Sequence, residues 1–104
     1  MDDLTFEDFK NIGSMFLIYY NFGLFIESHE ALDTLVFCWD KTTGVVRYFP
    51  NLIIHNNSIA TSSEIIKIIT LKSVFIKCVN DFMNRYKKLK IEMKKKSLEK
   101  DFED

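Results

Sequence analysis

The chain has 104 residues, a formal net charge of −1, 47 % hydrophobic and 28 % charged residues, three glycines and one proline. That length holds one modest core over residues 1–104 and excludes two independent domains, while the hydrophobic share excludes a disordered chain. The near-zero charge hides a polarity: residues 1–40 carry eight acids against the single base Lys10, and residues 85–96 carry seven bases against the single acid Glu92.

Ten Phe, four Tyr and one Trp supply much buried area per residue, which suits a thin core. Thr5 and Asp8 form a capping pattern, and Phe6, Phe9, Ile12, Phe16 and Tyr19 recur at three- and four-residue spacing. This predicts a first helix over about residues 5–21. Gly23 then falls just past the helix end, where a left-handed conformation suits a residue without Cβ. The same aromatic run also suits a hairpin of "MFLIYY" and "LFIES" about "NFG", so residues 15–28 carry two readings, with the helix preferred. Residues 15–26 are apolar but too short to span a bilayer, contain Asn21 and Gly23, and follow an acidic start. No membrane segment is expected, and the chain reads as cytoplasmic.

"TLVFCWDKTTGVVRYFP" is the clearest β signal, two β-branched and aromatic runs about a short connection ending near a glycine. Strands near 34–39 and 45–49 follow. Strict alternation puts Leu35, Phe37 and Trp39 on one face and Val36 and Cys38 on the other. Both faces are apolar, so a helix is expected on one and a partner chain on the other. "LFIES" at 24–28 is a candidate third strand, and "NLIIHNNSIAT" a connection that starts extended.

Thr61 and Glu64 match a capping box, and no Gly or Pro occurs from residue 62 onward, which predicts a long helix over 62–100. Ile65, Ile68, Phe75, Val79, Phe82, Tyr86, Leu89 and Met93 follow alternating steps of three and four, broken only by Lys72. The stripe is wide before Arg85 and narrows after it, so the first half is expected to pack and the distal half to project. The fold class read from the sequence is therefore α+β: an N-terminal helix, a small antiparallel hairpin or three-stranded sheet, and a long C-terminal helix with a coiled-coil-like seam.

Sites for chemistry are sparse. Cys38 and Cys78 stand forty residues apart without C-x-x-C spacing, so they read as free thiols. His29 and His55 have no partner at metal-ligand spacing. Three scattered glycines build no phosphate loop, and neither G-x-S-x-G nor H-E-x-x-H is present. Glu27 with Glu30, or Asp33 with Asp40, are carboxylate pairs that nothing in the sequence buries, and they read as solvated acids. A protein without catalytic residues, cofactor or metal is expected.

Three readings remain for the C-terminal helix, the plainest being a solvated helix end whose Lys stems lie over neighbouring apolar surface; the other two assign it a role. Phe75, Val79, Phe82, Tyr86, Leu89 and Met93 form a candidate protein-interaction seam, with a homodimer centred on Phe82, Tyr86 and Leu89. Arg85, Lys87, Lys88, Lys94, Lys95 and Lys96 are candidate nucleic-acid contacts through phosphate neutralisation. The residue bias toward Phe, Ile, Asn and Lys points to an AT-rich genome. The expectation is a small dimeric accessory protein of phage or mobile-element type that binds and inhibits or regulates a larger protein. A nucleic-acid-binding regulator is the alternative.

Overall fold

The structure is a computed structural model that describes residues 2–27, 34–55, 58–62 and 67–102. Helix α1 spans Phe6–Gly13, strands β1 and β2 Ile18–Tyr20 and Gly23–Phe25, and strands β3 and β4 Leu35–Trp39 and Val46–Tyr48. A further pair, β5 (Leu52–His55) and β6 (Ser58–Thr61), precedes β7 (Lys67–Ile69) and the long helix α2 (Lys72–Phe102). One sheet runs β1-β2-β3-β4-β7, antiparallel throughout, and β5 pairs only with β6. An N-terminal helix, an antiparallel sheet and a long C-terminal helix make this an α+β fold.

Helix α1 begins where the sequence places it, with Thr5 Oγ1 accepting from the Asp8 N–H at 3.1 Å. It ends at Gly13, not near residue 21. Leu24 lies so close that a Cβ on Gly13 would come within 2.2 Å of its Cδ1, so helix and sheet touch there through bare backbone. Asn21 and Phe22 then take φ of 44° and 67°, the two left-handed positions of a tight hairpin turn, and residues 18–20 fold back on 23–25. Leu17 and Tyr19 turn inward while Ile18 and Tyr20 stay exposed, a period of two that overrides the ring spacing. Gly23 is therefore a strand residue, where a Cβ would meet the Phe25 ring at 2.9 Å and Leu35 Cδ1 at 3.0 Å, and not a helix cap.

The β3–β4 hairpin matches its sequence signal, with Gly44 at φ 71° closing the turn. Its faces do not alternate as expected. The register with β2 shifts between Leu24 and Phe25, pairing Leu24 with Phe37 and Phe25 with Leu35, which leaves Val36 as the extra residue. Val36, Phe37 and Trp39 join the core or pack on it, while Leu35 turns toward Gly23 and Phe25. The expected connection 51–61 is instead the β5–β6 hairpin. It is tied to the main sheet by Thr61 Oγ1, which donates to the Leu35 carbonyl at 2.6 Å.

Helix α2 starts ten residues later than the Thr61–Glu64 pattern predicts. Thr61 ends β6, Ile68 lies in β7, and Glu64 and Ile65 fall outside the described residues. Non-local pairing wins here: β7 lies antiparallel on β4, with Val46 opposite Ile69, and suits two consecutive β-branched residues better than a helix would. The residues before α1 supply the cap. The Lys72 N–H donates to the Asp2 carbonyl at 2.7 Å, the Ser73 N–H to the Asp2 carboxylate at 3.2 Å, and Ser73 Oγ to the same carboxylate.

Both helices cover one face of the sheet. A run of rings joins them: Phe9 to Phe75 at 5.6 Å, Phe75 to Phe37 at 5.1 Å, Phe37 stacked on Tyr48 at 4.6 Å, then Phe82 and Tyr86. Burial of each Phe is worth roughly 1.5–3 kcal/mol. An exposed ion pair such as Lys72 with Asp8 is screened by water and adds little beside this. The rings therefore hold the fold. At roughly 1.5 Å per residue the 31-residue α2 is far longer than the 24 and 22 Å minor extents of the molecule, which reaches 57 Å along its major axis.

Candidate functional site

The first candidate is the α2 seam. Phe75 and Phe82 have no exposed surface, Val79 and Tyr86 almost none, and all four belong to the core of the chain itself. Leu89 and Met93 are half-buried against the same cluster. Tyr86 Oη also donates to Glu27 Oε1 at 3.0 Å. The structure thus gathers all six predicted interaction residues, but on the inner side of the molecule. A homodimer centred on Phe82 and Tyr86 would need side chains that the sheet already covers. A three-four stripe reports a buried helix face and is silent on whether a helix or a sheet buries it.

Arg85 is likewise committed inward. Its Nε donates to Asp81 Oδ2 at 3.1 Å, Nη1 to the Pro50 carbonyl at 2.7 Å and Nη2 to Tyr48 Oη at 2.8 Å, so it clamps α2 to the end of β4. Beside it opens a groove of about 510 Å³ whose lining includes Lys67, Val74, Lys77 and Cys78. Burial pushes the Tyr48 hydroxyl up to about 12 against the opposing Arg85 charge, and burial also raises the Cys78 thiol despite the nearby Lys67. Both groups stay protonated at neutral pH. A protonated thiol is a poor nucleophile, and Cys38 is raised by burial in the same way.

Of the carboxylates named from sequence, the described ones, Glu27 and Asp40, make bonds within the fold. Asp40 Oδ1 accepts from the Thr42 N–H at 2.9 Å and Oδ2 from Arg47 at 3.1 Å, and the Thr42 bond leads the effects that hold its carboxyl below the usual range. Glu30, Asp33 and His29 lie outside the described residues, as does the side chain of His55. Among the described residues no three His, Cys, Asp or Glu side chains gather where they would hold a metal ion.

Two exposed surfaces remain. With Phe75, Val79, Phe82 and Tyr86 facing the core, the opposite side of α2 carries Lys77, Asn80, Asn84, Lys87, Lys88, Ile91, Lys94 and Lys95, all exposed, with the acids Asp81 and Glu92 exposed along one edge. Arg85 does not belong to this face, and the side chain of Lys96 is outside the described set. Lys90 sits at the border with its Nζ 5.2 Å from the Tyr86 ring centroid. The other surface is the corner where α1 runs into β1. Met15, Phe16, Ile18 and Tyr20, four large apolar residues within six positions, are exposed by 73, 45, 39 and 52 %. Ile18 and Tyr20 pair with Phe25 and Gly23 on the sheet face away from the helices, and β1 is an edge strand. The helical reading of residues 5–21 buried Phe16 and so hid this corner. The alternation of Leu17 and Tyr19 with Ile18 and Tyr20 is the signal that marks it.

Comparison of the chain with protein families, curated proteins and solved structures gives no match, leaving its own geometry as the guide to function.

Proposed function

We propose that this protein is a small, non-enzymatic interaction module of phage or mobile-element type, which works in the cytoplasm by occupying and thereby regulating a surface of a larger protein. The observation that supports this is the exposed corner of Met15, Phe16, Ile18 and Tyr20. A chain this small has several large rings it could have buried, yet it keeps Phe16 and Tyr20 in water beside an edge strand. Clustered exposed apolar residues mark interaction sites more than isolated ones do. Aromatic anchors of this kind carry much of the binding energy where they dock. Association belongs to the β1 corner and not to the α2 seam, whose Phe75, Val79, Phe82 and Tyr86 are in the chain's own core.

The test is a paired recovery experiment from host extract. Tagged wild-type protein is expected to retain one larger protein, and a Phe16→Ser/Tyr20→Ser variant with an unchanged circular dichroism spectrum is expected to lose it. Retention of the same protein by the folded variant would overturn the proposal.

A further inference from the structure

The outward face of α2 has a property that goes beyond the β1 reading and does not rest on it. Lys77, Lys87, Lys88, Lys94 and Lys95 lie exposed along one side of α2, with the amides of Asn80 and Asn84 and the side chain of Ile91 between them. From Lys77 to Lys95 the stripe covers about 27 Å at the helical rise of roughly 1.5 Å per residue. Of the acids along the stripe, Asp81 is paired with Arg85, which also donates to the Pro50 carbonyl, and Glu92 is exposed at its edge. Among the described acids of the N-terminal half, Asp2 binds Ser73, Asp8 pairs with Lys72, Glu27 accepts from Tyr86 and Asp40 pairs with Arg47. Among the described residues no carboxylate pairs with Lys87, Lys88, Lys94 or Lys95.

We propose that this face binds the phosphate backbone of double-stranded nucleic acid without reading its sequence. Duplex DNA carries one negative charge per about 1.7 Å of axis with both strands counted, so about 27 Å of duplex holds about 16 phosphates around its circumference, and the share on one side is enough to engage several lysines at once. Lysine and asparagine side chains at this spacing suit phosphate oxygens, which position a protein on a duplex but carry no base code. No aromatic side chain lies on the stripe, so it has no platform on which unpaired bases would stack, and a duplex fits it better than a single strand.

Fluorescence anisotropy with labelled duplexes of about 24 base pairs, in two unrelated sequences, tests this directly. Binding is expected at about 50 mM salt, within a few-fold for the two sequences, and is expected to weaken with a log–log salt slope of about −4.5 for about five phosphate contacts. Single Lys88→Gln and Lys94→Gln substitutions should each reduce that slope by about 1. The combined Lys77→Gln/Lys87→Gln/Lys88→Gln/Lys94→Gln/Lys95→Gln protein should bind about 100-fold or more weakly at similar helix content, since Gln and Lys have similar helix propensity. The matching five Lys→Arg substitutions should retain binding, and Lys41→Gln, off the stripe, should change nothing. Absence of binding at about 50 mM salt, where phosphate contacts are strongest, would overturn the proposal. So would unchanged slopes in the single variants. Equal affinity for polyglutamate of matched charge would assign the stripe to an acidic protein surface, and tighter binding to a single strand would assign it to unpaired nucleic acid; either result rejects the duplex.

Discussion

Asp2 caps a distant helix: its carboxylate accepts from the N–H of Ser73, 71 positions later in the chain, and its carbonyl accepts from the N–H of Lys72, the first residue of α2. No acid stands in the first turn of α2 itself, so this distant carboxylate supplies both the missing acceptor and the negative charge favoured at a helix N-terminus. Asp2→Ala is therefore expected to cost about 1 kcal/mol. Urea denaturation checks it, and an unchanged midpoint would show that the cap is solvated rather than stabilising.

Gly13 is the point where α1 meets the sheet. A Cβ there would press on Leu24 at 2.2 Å, and Leu24 is fully buried, so it has little room to yield. Gly13→Ala should destabilise by roughly 1–3 kcal/mol, the cost of overpacking, in spite of the better helix propensity of alanine. A melting temperature at or above that of the wild type would contradict this packing.

Truncating the seam discriminates its two readings. Phe82→Ala should cost roughly 3–5 kcal/mol, as large aromatic deletions in cores do, at any protein concentration. If the loss instead appeared only on dilution, the ring would lie between two chains and not within one.

Alkaline pH reports the clamp between α2 and the head. The Tyr48 hydroxyl is pushed up to about 12 by burial, and that of Tyr86 to about 12 by burial and its bond to Glu27, from an ordinary value of 10.0. Below pH 10 the folded and unfolded chains hold these protons equally. Above it the unfolded chain releases protons that the folded chain retains, so stability should fall as pH rises from 10 toward 12. Ultraviolet titration should show two of the four tyrosines ionising late, and Tyr86→Phe should remove one of them.

Much of this fold is legible in the sequence, and the misreadings share a cause. The Thr5 cap and the β3–β4 hairpin are local signals, and both appear where the residues place them. Residues 15–25 carry rings at spacings that fit a helix as well as a hairpin, and the decision comes from Leu24 docking on Gly13, a contact between distant parts of the chain. The Thr61–Glu64 pattern is a sound local start signal that loses to the pairing of β7 with β4. Periodicity identified the buried side of α2, from Phe75 to Tyr86, but not its partner. The basic run was visible as charge; its concentration on one side follows only once Phe75, Val79, Phe82 and Tyr86 are known to face the sheet.

The β1 corner is proposed as the surface that meets a larger protein. A photo-crosslinking amino acid placed at Tyr20, and in a second protein at Ile53, which is equally apolar and about equally exposed on β5, tests it in the source cell. A covalent adduct with one larger protein is expected from position 20 and none from position 53. An adduct from position 53 with none from position 20 would contradict it.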